Sequence, residues 1–248
     1  LRKAASLIKY FGLEISTSDD ANRAVDVADM IAGGNYDIHS VIDQIVDAGS
    51  FTELYAEHAP HIVTGFATVN SLVIGIVASN PASKGGILCP CSAEKAADFV
   101  DFCSGFEIPV LTLVDSVGVA MKDKAEQKDI TLKLSKLAYS YTGSLSDKVT
   151  VILGKAYGTA YTVMGSKALG VNVALALDSA KIAPMAPERA VEFFDEVTDE
   201  QNKTDCVNEW TEKYASPLLA ARGGYIDDII DASELRQRIA SAFEMLAF

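Results

Sequence analysis

Ile108-Pro109-Val110-Leu111-Thr112-Leu113-Val114-Asp115 is an apolar run closed by a carboxylate. Its length and its branched residues suit a strand buried on both faces. Proline fits such a strand only at its start, because it cannot donate to a sheet ladder. A strand buried on both faces belongs to a largely parallel sheet covered by helices. Val149-Thr150-Val151-Ile152-Leu153 reads the same way, and the residues around the two runs extend the pattern.

Upstream, Ile62–Val69 and Leu72–Ser79 are two strand-like runs meeting at Asn70-Ser71, a short polar turn. Pro81–Pro90 is a turn-rich loop containing Lys84-Gly85-Gly86, and Ser92 is placed as the N-cap of a helix running to about Ser104. His39–Val46 spaces Val41, Ile42, Ile45 and Val46 for one face of a short helix. Downstream, residues 122–142 read as one long helix and Tyr157–Lys167 as a helix rich in small residues. Val173–Leu177 and Lys181–Pro184 read as short strands, with helices near Pro187–Phe194, Glu200–Tyr214 and Ser233–Phe248. Residues 1–35, with a helical spacing over Leu1–Tyr10 and a polar Ser16–Asp20, read as a helical lead-in or linker. Residues 36–248 read as one domain.

Asp and Glu outnumber Lys and Arg by 34 to 21, giving a net charge of −13. That balance argues against nucleic acid, which demands a basic face. It also leaves no Lys/Arg cluster of the kind that coenzyme A phosphates require. The most apolar zone, Val149–Pro187, is interrupted by Lys155, Lys167 and Asp178, short of the ~18 uninterrupted apolar residues of a membrane span. The four cysteines include Cys89-Pro90-Cys91, whose single intervening residue does not match common zinc spacings. The expectation is a cytoplasmic protein with reduced thiols, no metal and no direct membrane insertion. Its mean hydropathy of +0.18 alongside that charge leads us to expect self-association through an apolar face. No G-x-G-x-x-G fingerprint or P-loop occurs.

Several fragments together resemble the C-terminal half of acyl-CoA carboxylase carboxyltransferase subunits, a family that includes propionyl-CoA carboxylase β chains and methylmalonyl- and glutaconyl-CoA decarboxylase α chains. Thr64-Gly65-Phe66-Ala67 followed by Gly75-Ile76-Val77-Ala78-Ser79-Asn80-Pro81 is similar to the family's "V-G-F-A … G-I-V-A-N-Q-P". Lys95-Ala96-Ala97-Asp98-Phe99-Val100-Asp101-Phe102-Cys103 resembles "K-A-A-R-F-I-R-F-C-D", and Ile108–Asp115 resembles "I-P-L-V-T-L-V-D". Lys155-Ala156-Tyr157-Gly158-Thr159-Ala160-Tyr161 resembles "K-A-Y-G-G-A-Y", and Ile226-Asp227-Asp228-Ile229-Ile230 the closing "[VI]-D-D-V-I". The resemblance implies an α/β crotonase-like (ClpP-like) ββα superhelix. It also implies carboxyl transfer between biotin and an acyl-CoA. This half handles carboxybiotin brought on a biotin carboxyl carrier protein, acting with an upstream carboxyltransferase half in a homo-oligomer.

The resemblance also carries site residues. Backbone N–H groups of Gly158, Thr159 and Ala160 match the family's oxyanion hole, a role that helix N-termini serve well because their dipole is already oriented. Packing of small residues is the competing reading. Asp115, Ser116, Val117 and Gly118 match the "D-x-P-G-F" loop bordering the site, with Tyr157, Tyr161 and Thr162 nearby; a carboxylate that caps the next turn is the equal alternative for Asp115. The chain departs from the pattern at Val117, Val119 and Thr159, and at Lys128-Asp129 where the family has Gly-Gly. His39, His58 and His61 precede the core, and Ser166 has no partner histidine in sequence; packing or surface roles are expected for all four. Two other classes stay open. One is a diverged assembly module that keeps the fold without chemistry. The other is a single-domain hydratase or isomerase, disfavoured because no acidic residue is placed as a general base.

Overall fold

The computed structural model describes residues 19, 20, 22–121, 123–193 and 200–247. The readings made for Leu1–Tyr10 and for Ser16–Ser18 lie outside the described residues.

The apolar runs form one eight-stranded sheet. β1 (Thr52–Leu54), β2 (Ile62–Val69) and β3 (Leu72–Ser79) are antiparallel neighbours. β4 (Val110–Ser116), β5 (Lys148–Tyr157), β6 (Val173–Leu177) and β8 (Asp228–Ile230) continue it in parallel, and β7 (Lys181–Ala183) pairs in parallel with β5 off the main path. β2 and β3 stay in register from Ile62↔Ser79 to Val69↔Leu72, and their turn residues Asn70 and Ser71 both have positive φ (49° and 68°). Turns of that hand match the right-handed twist of the strands they join.

Helices cover both faces, as expected for strands without a polar side. On one face pack α1 (Ala28–Ala32), α2 (Ile38–Ile45) and α10 (Leu235–Leu246). Their Ile38, Val41, Ile42, Leu235, Ile239 and Phe243 meet Val63, Ile76, Leu111, Leu113, Val151 and Leu175 of the sheet. On the other face α3 (Pro90–Gly105), α5 (Ile130–Gly143) and α6 (Gly158–Val163) bury Phe99, Val100, Leu134, Leu137, Tyr141 and Ala160 against Phe66, Val77, Val110, Val114 and Ile152. The two residue sets alternate along β4, so odd-numbered Leu111 and Leu113 face one layer and even-numbered Val110 and Val114 the other.

Some expected elements change at their ends. Ser92 is the third residue of α3, not its N-cap. Its Oγ accepts from Cys89 N at 2.8 Å, which moves the cap back to Cys89. The single helix expected over 122–142 is α4 (Asp123–Glu126) followed by α5, because Asp129 takes a left-handed conformation (φ 55°) that no continuous helix tolerates. The helix expected over Tyr157–Lys167 stops at Val163. Beyond it, α7 (Pro187–Ala190) and α8 (Glu200–Tyr214) precede α9 (Pro217–Arg222), which the sequence reading missed along with β1 and β8.

Arg236 on α10 is fully buried. It donates to Asp47 Oδ1 (2.7 Å), Ile45 O (2.5 Å) and Asp20 O (3.1 Å). Asp47 also accepts from Asn70 N (3.1 Å) and Ser71 N (3.0 Å), so one ion pair joins the last helix to the β2–β3 turn.

Candidate functional site

The carboxyl ends of β4 and β5, where ligands gather in open α/β sheets, carry the candidate residues. After Ser116 the chain leaves the sheet in a turn: Ser116 Oγ and Gly118 N are 3.3 Å apart. Three backbone bonds then fasten Val117–Ala120 to the preceding glycine loop: Val117 N to Gly85 O (3.1 Å), Leu88 N to Gly118 O (2.9 Å) and Ala120 N to Leu88 O (2.9 Å). The sequence reading recognised Lys84-Gly85-Gly86 as a turn but not as this rim. A further anchor, His61 Nδ1 to Ser83 Oγ at 2.6 Å, gives one of the histidines a packing role within that loop.

β5 delivers Gly158 directly into α6. Gly158 has φ 59°, a conformation that glycine reaches without a Cβ penalty. The first N–H groups of any helix have no intrahelical acceptor, and α6 starts here with Gly158, Thr159 and Ala160. Two clefts meet here, each of about 540 Å³, and share Gly158, Thr159 and Pro184. One runs under Val117, Gly118, Val119 and Tyr157 to Met185. The other is floored by Tyr161, Thr162 and Ile182 and walled by Tyr214, Leu219 and Tyr225 from α8, α9 and the segment beyond. Tyr161 Oη donates to Tyr225 O at 3.3 Å, and Thr162 Oγ1 to Gly158 O at 3.3 Å. Burial, with the carboxylates of Glu188 and Asp115, pushes the Tyr157 phenol up to about 12; burial, with Tyr225, also raises that of Tyr161. Both phenols are therefore neutral donors at physiological pH.

The structure thus brings together Val117, Gly118, Tyr157, Gly158, Thr159, Tyr161 and Thr162. Ala160 lies beside them, fully buried in the core and lining neither cleft. Ser116 is buried and lines neither cleft. Asp115 lies apart: its carboxylate is on the opposite face of the sheet, beside a separate cleft of about 180 Å³ with Gly34, Leu153 and Lys155. It accepts from Tyr36 Oη (2.8 Å) and Lys155 N (2.9 Å), and it does not cap the turn after it. Burial raises the Asp115 carboxyl above its ordinary value even though those bonds pull the other way. His39 bridges Asp37 (2.6 Å) and Glu53 (3.0 Å), and Ser166 Oγ donates to Thr162 O (2.8 Å). Among the described residues no helix is long and apolar enough to cross a membrane.

A family model described as the carboxyl transferase domain matches residues 14–247. The α subunit of methylmalonyl-CoA decarboxylase from Propionigenium modestum is 37% identical over 243 residues, covering 94% of this chain and 47% of the relative. The 12S subunit of methylmalonyl-CoA carboxyltransferase from Propionibacterium freudenreichii subsp. shermanii is 36% identical over 242 residues, covering 94% and 46%. A solved transcarboxylase 12S structure, described as a hexamer assembly with hydrolyzed methylmalonyl-coenzyme A bound, superposes with a TM-score of 0.93 at 34% identity, covering 99% of this chain and 50% of that one. The chain spans about half the length of the curated relatives it matches, and its architecture is the crotonase-like ββα fold expected from the fragments.

Proposed function

The chain belongs to the carboxyl transferase domain family, and on that premise we propose that it is the carboxybiotin-handling half of a biotin-dependent acyl-CoA carboxyltransferase or decarboxylase. The observation that carries this reading is the start of α6 at the junction of two clefts: Gly158 and Thr159 line both, in a space of the size that a small ring system needs, and in this reading the first backbone N–H groups of the helix hold the ligand oxygen. The donor set fits biotin: a neutral ureido oxygen that gains negative charge is suited by preorganised N–H groups, not by a lysine that would pair with it permanently. Bound carboxybiotin supplies the carboxyl group. The chain's own residues orient the ring with Tyr161, Tyr214 and Tyr225, exclude water with Ile182 and Leu219, and hold the charged oxygen at the helix start. Val117 and Gly118 border the side on which the acyl-CoA approaches. An upstream half supplies the coenzyme A site, a biotin carboxyl carrier protein delivers the biotin, and the subunits assemble with copies of themselves, in keeping with the hexamer described for the transcarboxylase relative. A cytoplasmic location, with free thiols, goes with this reading.

The test is transfer of labelled carboxyl from a carboxylated biotin carrier to a panel of acyl-CoAs by the full-length protein that contains this chain. Thr159 is exposed and second in the helix, where proline is tolerated. Thr159→Pro deletes one donor and is expected to lower the rate roughly a hundred- to a thousandfold. Thr159→Gly keeps the N–H, and its rate is expected to match or exceed the parent's. Circular dichroism checks folding. A folded Thr159→Pro protein with the parental rate removes the N–H of Thr159 from the site. Absence of transfer to every acyl-CoA in the panel by the parent protein favours the non-catalytic assembly module.

A further inference from the structure

β5 changes partners in mid-strand. Val149–Ile152 pair with β6, whereas Lys155–Tyr157 pair with β7. On its other side, β4 shows the same break: Val114 is opposite Ile152, but Ser116 is opposite Ala156. Leu153, Gly154 and Lys155 therefore bulge out against one residue, Asp115. Bulges of this kind bend a strand and re-aim the residues beyond the bend. Here those residues are Ala156-Tyr157-Gly158 and the start of α6.

The bulge is filled by the Asp115 carboxylate. Oδ1 accepts the Lys155 N–H that the break takes out of the ladder (2.9 Å), and Oδ2 accepts Tyr36 Oη (2.8 Å). Gly154 is shaped to it, since a Cβ there would be 2.4 Å from Oδ2 and 2.6 Å from the carboxylate carbon. Tyr36 is itself buried, in the segment between α1 and α2, so the carboxylate is held from the layer behind the sheet. Asp115 is 4% exposed and on the far face from both clefts, which leaves it no route to a bound substrate.

We propose that Asp115, braced by Tyr36 and seated against Gly154, is a positioning residue: it sets the β5 bulge and thereby aims the Gly158–Ala160 helix start into the shared cleft. The role rests on the carboxyl-transfer reading for its consequence in rate, but not for its consequence in structure. Without the carboxylate, the Lys155 N–H has no acceptor, and the strand end relaxes toward the unbroken register.

The experiment uses the full-length protein and reads two things: hydrogen exchange in peptides covering residues 153–163, with 62–79 of the β2–β3 hairpin as an internal reference, and kcat and KM separately. Asp115→Ala is expected to speed exchange across 153–163 at least tenfold and leave 62–79 unchanged. It is expected to lower kcat on the order of a hundredfold with KM for the acyl-CoA unchanged, as displaced catalytic geometry does. Asp115→Asn, which keeps an oxygen for Lys155 N–H, should restore most of the protection. Gly154→Ala should reproduce the Asp115→Ala exchange pattern in the parent and add little in the Asp115→Ala background, where the Cβ has room. Unchanged exchange at 153–163 in Asp115→Ala, or loss of protection in both segments together, overturns the positioning role. A parent protein without carboxyl transfer defeats the functional reading alone, since the exchange pattern still decides the structural one.

Discussion

Two aspartates, Asp47 and Asp115, are almost equally buried, at 2% and 4% exposure, and they have opposite electrostatics. Burial alone would raise both carboxyls. At Asp47 it is outweighed by Arg236, Ser71 N, Thr68 and Asn70 N, so the carboxyl falls below its usual range. At Asp115 the bonds from Lys155 N and Tyr36 do not suffice and the carboxyl rises. A paired charge closes the sequence-distant ends of the core around a regular hairpin. A carboxylate bonded to a backbone N–H and a phenol fills a break in a strand beside the clefts. One buried carboxylate is matched by a full positive charge, whereas the other rests on a backbone N–H and a phenol alone.

The sharpest way to break this contrast is to remove the cation. Arg236→Met leaves Asp47 buried without its partner, and a loss of about 3–5 kcal/mol is expected in urea unfolding. A loss below about 1 kcal/mol would mean that the hairpin N–H groups alone support the charge. The next is acid titration. Asp47 has a depressed folded pKa, so its contribution is complete above the unfolded value of about 4 and disappears as pH falls through the folded value. Asp115 has the opposite sign: its raised folded pKa costs stability at neutral pH, and that cost is relieved as pH falls through the raised value. Asp47→Asn is expected to cost about 1–3 kcal/mol at pH 7 and less at pH 3, and to flatten the acid limb of a stability–pH curve. Asp115→Asn should instead remove the downward slope that starts above about pH 4 and ends at the raised folded value. Equal slopes for both variants would erase the distinction. The smallest effect concerns the hairpin turn that Asp47 caps. Ser71 has φ 68°, and Ser71→Gly is expected to stabilise by about 0.5–1 kcal/mol by relieving the left-handed strain, seen as a modest rise in Tm with carboxyl transfer unchanged.

The β2–β3 hairpin was legible because two apolar runs and the two-residue polar turn between them are local signals, and Ile62–Val69 and Leu72–Ser79 appear at the bounds read from sequence. The strand ending at Asp115 was equally plain. The direction of its carboxylate was not, because a strand buried on both faces has no polar side to fix its parity. The bulge at Leu153-Gly154-Lys155 was hidden as well: Gly154 is small because of Asp115, a contact that bridges about forty positions of chain and that no sequence window contains. The break at Asp129 was masked by residues of ordinary helix propensity. Gly158 and Thr159 were reached only through resemblance to a family, since glycine-rich packing and an anion-binding helix start look alike in a string of letters. Gly85 and Pro184, which complete the rim and the ridge between the clefts, came into view only with the fold.

The bond between Arg236 and Asp47 spans 189 positions of sequence. During synthesis at about 5–20 residues per second, the hairpin turn and its carboxylate emerge roughly ten to forty seconds before the guanidinium that neutralises them. Through that interval a nascent chain presents this face of the sheet unclosed, with Ile38, Ile42 and Val63 exposed to whatever apolar surface is near. Closure of this face must wait for α10, which makes the preceding interval the one in which a chaperone would be of use.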